Sequence, residues 1–301
     1  MTDCYLTKYV GNKAALLAAS PGLFPLPGHG GSVAVPFVGG GSVPAFYAAR
    51  GCKVIASDIN PRLVNAHLEV QRDVDLVIGS LNWITDAWRK AVDGLDPDLR
   101  DEAGKAFFEA NRTALNTGAE QAGYKHSAFA AARMLFVIRA GFNGLYRENA
   151  AGECTTAYGK PEPTRDLVQA DKLRAYSAAV QGVEFLCEDF AVTCGRARPG
   201  WAMYGDSPYE GTFTGYAGGD WSAAQASLPG MGRTSERERL AAMLVYLDAI
   251  GVRFSNSDAD TPTTRRLYSR WTLESVSRSG NVNSNGEDRG AVTEGLWRNW
   301  Q

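Results

Sequence analysis

The chain has 301 residues, of which 45% are hydrophobic and 21% are charged, a composition typical of a folded protein with a large buried core. Its formal net charge of −2 argues against a protein that coats nucleic acid non-specifically, although a local basic patch is enough to bind phosphate. The sequence contains no apolar run of the length that a transmembrane helix needs, so we expect no membrane partner.

The cysteines and the first residues narrow the class of protein further. The five cysteines are scattered, odd in number and include no C-x-x-C pair, which indicates neither a zinc site nor a disulfide framework. The stretch from Met1 to Lys13 lacks the apolar core of a signal peptide. We therefore predict a cytoplasmic protein without a bound metal, and nothing in the sequence indicates an oligomeric state.

Taken in chain order, the first predicted elements are two buried strands that end in turn residues. Ser32–Phe37 leads into a run of three glycines, and Lys53–Ser57 leads into Asp58. Glycines after a strand let the backbone approach a ligand, and an acidic residue at the next strand end can accept hydrogen bonds from both ribose hydroxyls. A structural turn is the alternative. The glycine spacing differs from the dinucleotide fingerprint, which disfavours a nicotinamide-dependent oxidoreductase.

The middle of the chain, from about Asn65 to Thr164, has helical patterns and no strand followed by a glycine turn. We predict a helical insertion between the early and late strands of one sheet, which divides the chain into residues 1–64, 65–164 and 165–301. Two clusters of basic residues indicate either nucleic-acid contacts or solvated faces. They are Lys125, Arg133, Arg139 and Arg147, and Arg265, Arg266, Arg270 and Arg278.

Three further strands are predicted in the last part of the chain. Val183–Cys187 leads into Glu188 and Asp189, Trp201–Gly205 ends in Asp206, and Val252–Ser255 follows a helical pattern. Strands alternating with helices predict an α/β fold with a parallel sheet, in which ligands bind at the carboxyl ends of the strands. The residues at those ends are Gly39, Asp58, Asp189 and Asp206.

The sequence D-S-P-Y, Asp206 to Tyr209, can activate an adenine amino group. That group is a poor nucleophile because its lone pair is delocalised into the ring, and acceptors for its two hydrogens draw the lone pair out of conjugation. The Asp206 carboxylate and the Ser207 main-chain carbonyl can be these acceptors, and Pro208 keeps Ser207 extended. Tyr209 can stack on a base that has left the helix. Asp-Ser-Pro is also common in turns, so this element alone leaves a structural turn open.

These elements occur in the order found in Dam-type (D12 class) N6-adenine DNA methyltransferases, which the chain resembles over nearly its whole length. The first matches are K-Y-V-G-N-K at 8–13 to K-W-x-G-G-K, P-F-V-G-G-G-S at 36–42 to P-F-x-G-x-G-S, S-D-I-N-P at 57–61 to D-I-N-x, and E-D-F at 188–190 to G-D-F. D-S-P-Y stands where the family has D-P-P-Y. Later matches are S-N-S-D at 255–258 to S-N-H-D and R-S-G-N-V-N-S-N-G at 278–286 to R-S-I-S-x-N-G.

The resemblance implies a class I S-adenosylmethionine-dependent methyltransferase fold, with a Rossmann-like sheet and an inserted helical DNA-recognition domain. It implies direct methyl transfer from S-adenosylmethionine to adenine N6 in double-stranded DNA, without a covalent enzyme intermediate. The residues that it assigns to the methyl donor are Tyr9, Lys13, Phe37, Gly39, Gly41, Ser42, Asp58, Asp189 and Phe190. Those that it assigns to catalysis are Asp206, Ser207, Pro208 and Tyr209.

The inserted region also resembles the family. R-A-G-F-N-G-L-Y-R-E-N at 139–149 is similar to R-x-G-Y-N-G-L-x-R-x-N, which contacts the target in relatives that recognise GATC. An arginine fork suits the major-groove acceptors of guanine. The implied DNA contacts are Phe142, Asn143, Leu145 and Arg147, together with Arg278 and Asn285. Core packing is the alternative for Phe142 and Leu145.

Three positions depart from the family pattern. Val35 replaces the acidic residue that usually opens the glycine motif, Ser207 replaces the first proline of D-P-P-Y, and Ala157 stands where GATC-reading relatives have a proline. These departures leave open a catalytically weak or inactive protein that binds the donor and DNA. An amino-methyltransferase acting on RNA or on cytosine is a further alternative, whereas the absence of a P-C dipeptide disfavours attack on a cytosine ring carbon.

Overall fold

The computed structural model describes residues 4–9, 11–118, 127–149, 151–208, 224–225, 234–278 and 292–301. Its strands are β1 (Ser32–Val35), β2 (Lys53–Asp58), β3 (Val183–Cys187), β4 (Ala202–Asp206), β5 (Ala224–Gln225), β6 (Thr234–Ser235), β7 (Arg253–Ala259), β8 (Thr272–Arg278) and β9 (Val292–Arg298). Its helices are α1 (Ala14–Ala19), α2 (Ser42–Ala48), α3 (Pro61–Arg72), α4 (Val74–Val92), α5 (Pro97–Gly118), α6 (Ala128–Ala140), α7 (Ala170–Ala179), α8 (Phe190–Gly195), α9 (Glu236–Ala249) and α10 (Pro262–Leu267). Short 3-10 turns cover Pro21–Leu23 and Phe142–Gly144.

Seven of these strands form one sheet in the order β3-β2-β1-β4-β7-β9-β8. The first five in that order are parallel, and β9 lies antiparallel between β7 and β8. The chain leaves β1 toward β2 and β3 on one side and returns to β4 on the other, so the strand order reverses between β1 and β4. Ligands bind at such a switch point, at the carboxyl ends of the strands. This is the class I methyltransferase sheet, which confirms the predicted fold.

Two apolar cores cover the two faces of the sheet. Along β1, Val33 and Val35 point into one core and Ala34 points into the other, as the alternation of a strand requires. The first core extends into α3 to α7, and the second lies under α8, α9 and α10. The β1 tip is therefore held from both sides.

The region between β2 and β3 is helical, as predicted. Helix α6 is mostly apolar and almost entirely buried, and it packs against both α3 and α4, so it forms the centre of this region. Helix α3 runs without interruption through residues 64 and 65, and the predicted domain limit at that point lies inside it. The domain limits remain a prediction. Among the described residues, no helix is both long enough and apolar enough to cross a membrane.

Candidate active site

The glycine turn after β1 is closely packed against its neighbours. The Gly39 amide donates to Asp58 Oδ2 at 3.4 Å, which connects the ends of β1 and β2. Gly41 has a φ of +85°, and a Cβ there would lie 2.2 Å from the hydroxyl oxygen of Tyr176, so only glycine fits. Buried Ser42 begins α2 directly after this turn. The residues of this turn that were predicted to bind the methyl donor therefore form one compact backbone surface.

A buried histidine contacts the backbone of the same glycine turn. His67 Nε2 lies 2.9 Å from the Gly39 carbonyl oxygen, and Nδ1 lies 2.8 Å from the Tyr176 hydroxyl. Because a carbonyl can only accept, Nε2 carries the proton and Nδ1 accepts from Tyr176. Burial lowers the pKa of His67 to about 4, which keeps the ring neutral. The sequence analysis missed His67, since no motif includes it.

The N-terminal segment lies across the glycine turn. The Leu6 amide donates to the Gly40 carbonyl at 2.9 Å, and a Cβ at Gly39 would lie 3.5 Å from Tyr9 Cδ1. The Tyr9 ring also stacks on Tyr146, with centroids 6.3 Å apart. Tyr9 is thus placed between the glycine turn and the inserted region.

Lys13 connects three distant parts of the chain. Its side chain is 1% exposed, and its ammonium contacts Asp206 Oδ1 at the end of β4. The same ammonium lies 3.2 Å from Glu294 Oε1 on β9 and 3.0 Å from the Gly11 carbonyl. The sequence analysis missed Glu294, since no motif includes it and its burial follows from the pairing of β9 with β7. The structure therefore brings Asp206 to the N-terminal segment that covers the glycine turn.

A buried ion pair supports the loop after β4. Arg237 and Asp258, with side chains 2% and 0% exposed, make two contacts of 2.9 and 3.0 Å, and Arg237 Nη2 donates to the Pro208 carbonyl at 3.0 Å. Burial raises the pKa of Asp258 although the guanidinium opposes this shift. Ser207 is buried, and its hydroxyl has no partner among the described residues. Tyr209 lies outside the described residues.

The turn after β2 presents an acidic and an apolar side chain. Asp58 Oδ1 accepts from the Asn60 amide at 3.0 Å, and the residue as a whole is half-buried. Burial raises the pKa of Asp58 to about 6, and the Asn60 and Gly39 amides limit that rise. The neighbouring Ile59 side chain is 55% exposed. This pairing of an acceptor with an open apolar surface suits a nucleoside.

Two aromatic rings connect the turn after β1 with the turn after β3. Phe37 and Phe190 stack with ring centroids 5.5 Å apart. Asp189 caps α8 through the Ala191 amide at 2.8 Å and pairs with Arg239 at 2.9 Å. The Arg239 guanidinium also lies 5.0 Å from the Phe190 centroid, a contact that no sequence motif predicts. Asp189 is therefore already oriented by two protein partners.

The segment predicted to read DNA has both exposed and buried residues. Phe142 is 53% exposed, Asn143 adopts a φ of +56°, and Arg147 is exposed, whereas Leu145 is 5% exposed and packs in the interior. The exposed side chain of Lys8 runs beside this turn, where a Cβ at Gly144 would lie 3.4 Å from Lys8 Cδ. For Arg278 only the backbone in β8 is described, and Asn285 lies outside the described residues.

Comparison with known families identifies the class of protein to which this geometry belongs. The sequence model of the D12 class N6 adenine-specific DNA methyltransferases matches residues 9–279, which include Tyr9, Lys13, the glycine turn and Asp206. The chain belongs to this family. As a D12 class member it is an adenine-specific DNA methyltransferase, and the resemblance found in the sequence is confirmed.

Individual relatives cover most of this D12 class chain. The DNA adenine methylase of Haemophilus influenzae is 29% identical over 86% of this chain and 81% of its own length. The type II methyltransferase M.MjaIII of Methanocaldococcus jannaschii is 27% identical over 84% of this chain and 83% of its own length. The DNA N-6-adenine-methyltransferase of Escherichia phage P1 is 29% identical over 87% of this chain but only 31% of its own, longer sequence.

Proposed function

We propose that the protein transfers a methyl group from S-adenosylmethionine to the N6 amino group of an adenine flipped out of double-stranded DNA. The observation that carries this proposal is the position of Asp206 at the end of β4, beside the segment that covers the β1 glycine turn. An acceptor for the adenine amino group and a backbone surface for the donor meet there, at the switch point of the sheet. Because the bacterial and phage relatives are DNA methyltransferases, we also propose that this protein is located in the cytoplasm.

The residues around the switch point fit S-adenosylmethionine, which supplies a methyl carbon bonded to a sulfonium. We assign Asp58 to the ribose hydroxyls, because this half-buried residue ends β2. Exposed Ile59 and half-buried Phe37 offer apolar surface for the adenine of the methyl donor, and buried Phe190 packs against Phe37. The Gly39 to Gly41 backbone lets the rest of the donor approach without side-chain hindrance. We propose Lys13, Tyr9 and Ser42 as supports of this surface, and Asp189 as a second acceptor.

At the reacting amino group, Asp206 and the Ser207 carbonyl accept the two hydrogens and direct the nitrogen lone pair toward the methyl carbon. Bound S-adenosylmethionine would supply the methyl carbon and retain the S–C electron pair on its sulfur, while the surplus N6 proton, hydrogen-bonded to Asp206, would leave to water without a further base. Pro208 holds the direction of the Ser207 carbonyl, and Tyr209 is proposed to stack on the flipped base. Catalysis then depends on positioning and polarisation.

We propose that the exposed residues of the 142–147 segment read the base sequence. Phe142 and Asn143 project at a turn, and Arg147 is exposed, so it can offer its fork to guanine. Leu145, which is buried, supports the turn from beneath. Arg278 and Asn285 are proposed as additional contacts to DNA.

The deciding experiment is to express the protein in a host without DNA methylation and to map modified bases across the genome. Methylated adenine in one recurring sequence supports the proposal, and methylated adenine in GATC also supports the carried-over base contacts. Methylated cytosine would overturn the assigned base. An unmodified genome, together with normal binding of donor and duplex, would identify a non-catalytic binding protein instead.

A further inference from the structure

A buried carboxylate lies between the two surfaces that the proposed function needs. The side chain of Glu148 is 4% exposed, and its Oε1 receives three hydrogen bonds. Asn60 Nδ2 donates at 3.1 Å, Arg62 Nη1 at 3.0 Å and the Tyr146 hydroxyl at 2.6 Å. Neither D-I-N-P nor the DNA-reading motif accounts for a glutamate at this position.

On one side, Glu148 holds the turn that follows Asp58. The Asn60 amide donates to Asp58 Oδ1 at 3.0 Å, and Asn60 Oδ1 caps α3 by accepting from the Arg62 and Leu63 amides at 3.0 and 3.2 Å. The backbone amide and side-chain oxygen of Asn60 are thus used inside the turn. Its side-chain nitrogen is directed to Glu148, so the carboxylate fixes the orientation of the turn that presents Asp58.

On the other side, Glu148 belongs to the segment that presents Arg147. Tyr146 and Glu148 are buried while Arg147 between them is exposed, the alternation of an extended chain. The Arg147 amide donates to Thr156 Oγ1 at 3.1 Å, and Glu148 forms an isolated bridge with Cys154. The Arg147 backbone is therefore fixed one residue away from the carboxylate.

Two further contacts connect the same surfaces. Arg62 Nη1, which donates to Glu148, also donates to the Gly152 carbonyl at 2.6 Å. The Tyr146 ring, whose hydroxyl donates to Glu148, stacks on Tyr9 above the glycine turn. Of these three hydrogen-bond donors, Asn60 belongs to the turn that presents Asp58 and Tyr146 belongs to the DNA-reading segment, while Arg62 connects α3 to the neighbouring turn at Gly152.

We propose that Glu148 is a positioning residue that fixes the donor pocket and the DNA-reading surface relative to each other. This inference rests on the proposed function, and it deepens it by assigning one side chain to both sites. A charged carboxylate suits this task, because charge-assisted hydrogen bonds are about twice as strong as neutral ones. Loss of the charge therefore alters donor affinity and sequence preference together.

The test compares Glu148→Gln and Glu148→Ala with Glu153→Gln as the matched control. Glu153 follows the same segment and carries the same charge, but it is exposed, and its side chain binds only the half-buried Asn149 among the contacts described for it. Two quantities are measured for each full-length variant: the Kd for S-adenosylmethionine, and the methylation of a pool of duplexes that contains every tetranucleotide around an adenine.

For Glu148→Gln we expect a donor Kd raised about tenfold, equivalent to about 1.4 kcal/mol, and a sequence preference flattened by a similar factor at the base nearest Arg147. Glu148→Ala gives a larger loss of both, and Glu153→Gln matches the unmodified protein. Tyr146→Phe, which removes one donor and keeps the ring, gives a smaller loss of both. This graded double effect is not expected from a general loss of stability, which thermal melting measures separately.

The proposal is overturned if Glu148→Gln keeps both the donor Kd and the sequence preference of Glu153→Gln, whatever its melting temperature. It is also overturned if only one of the two quantities changes. If Glu148→Ala does not fold, the proposal is tested with Glu148→Gln and Tyr146→Phe alone. If the unmodified protein methylates no duplex, the proposed function fails, and the donor Kd values still decide whether Glu148 holds the donor pocket.

Discussion

The buried ammonium of Lys13 contacts the Asp206 carboxylate although 193 positions separate the two residues in the sequence. Glu294 contacts the same ammonium at 3.2 Å. The contact fixes one Asp206 oxygen, Oδ1, and the other, Oδ2, lies where a Cβ at Gly11 would be 3.4 Å away. Removing Asp206 would leave Lys13 with Glu294 as a partner, so the loss is expected to affect the chemistry more than the fold.

We predict that Asp206→Ala lowers the rate of methyl transfer by at least roughly 10²–10³-fold, the usual cost of removing one polarising group. The Kd for S-adenosylmethionine should stay nearly constant, because Asp58 and the glycine turn are unchanged. Transfer of labelled methyl to DNA and calorimetric donor binding measure the two quantities. Asp171→Ala is the control, since Asp171 is fully exposed on α7. Normal turnover by Asp206→Ala would remove this residue from the mechanism.

The Arg237–Asp258 pair allows stability to be separated from activity. Arg237→Met leaves Asp258 buried without its cation, which should cost about 3–5 kcal/mol in the free energy of unfolding. The double variant Arg237→Met/Asp258→Leu should regain most of that stability, since burial already disfavours the charge of Asp258.

The double variant should still transfer methyl groups poorly, because the Pro208 carbonyl loses the guanidinium that holds it. Urea unfolding and methyl-transfer rates test both statements on the same preparations. A double variant with full activity would show that this contact does not position the loop after β4.

Donor affinity is predicted to depend on the ionisation of Asp58. Its pKa is raised to about 6, and only the ionised carboxylate accepts from both ribose hydroxyls. Donor binding should therefore release protons near pH 6, and the Kd should rise up to about tenfold for each pH unit below that value. Asp58→Asn should bind more weakly and without this pH dependence. A Kd that stays constant from pH 5 to 7.5, titrated by calorimetry, would contradict the prediction.

His67 should make stability depend on pH in the opposite direction to Asp58. Its folded pKa is about 4 and its ordinary value is 6.5, so the unfolded chain binds a proton first as the pH falls. The contribution of neutral His67 to the free energy of unfolding is fully present above pH 6.5 and is lost as the pH falls toward 4. The total loss is on the order of 3 kcal/mol.

The raised pKa of Asp58 stabilises the folded state as the pH falls below 6, in the protein and in its His67 variants alike. We therefore compare the unfolding free energy of the protein with that of His67→Gln at each pH. The difference should shrink between pH 7 and pH 4.5. A difference that stays constant would assign the stability of this site to packing alone.

Sequence discrimination is predicted to depend on Arg147. Arg147→Ala should lose about 1–3 kcal/mol of discrimination at one base of the recognised sequence, the value of a bidentate arginine–guanine pair. Relative methylation of single-base variants of the mapped site measures this loss. Arg253→Ala is the control, because Arg253 is exposed at the start of β7. The candidate site lies at the opposite edge of the sheet, where the parallel strands have their carboxyl ends. Equal losses in the two variants would indicate a non-specific effect of charge.

Four strands of the parallel part could be predicted from the sequence because each is a short apolar run that ends in a turn residue, whereas β7 continues through polar residues to Ala259, beyond its predicted end at Ser255. Val183–Cys187 was predicted with the limits that the structure has, and β1, β2 and β4 differ by one or two residues. The strands β8 and β9 were not predicted. In T-L-E-S-V-S-R and V-T-E-G-L-W-R, polar residues interrupt the apolar pattern, and pairing with β7 determines their structure.

The site was only partly predictable for a related reason. Asp58 and Asp206 were found because each ends a predicted strand. His67, Arg237 and Glu294 were missed, since each acts through a partner from a distant part of the sequence. A buried polar residue looks the same in a sequence as an exposed one, and only the three-dimensional pairing distinguishes them.

The place of β9 between β7 and β8 has a consequence for synthesis. Lys13 is synthesised before Asp206, and Asp206 before Glu294, yet all three meet in one cluster. A growing chain that stops short of β9 leaves β8 without its neighbour and Lys13 without its second carboxylate. Nascent and truncated copies are therefore expected to lack methylating activity, which is gained only when the final strand is inserted.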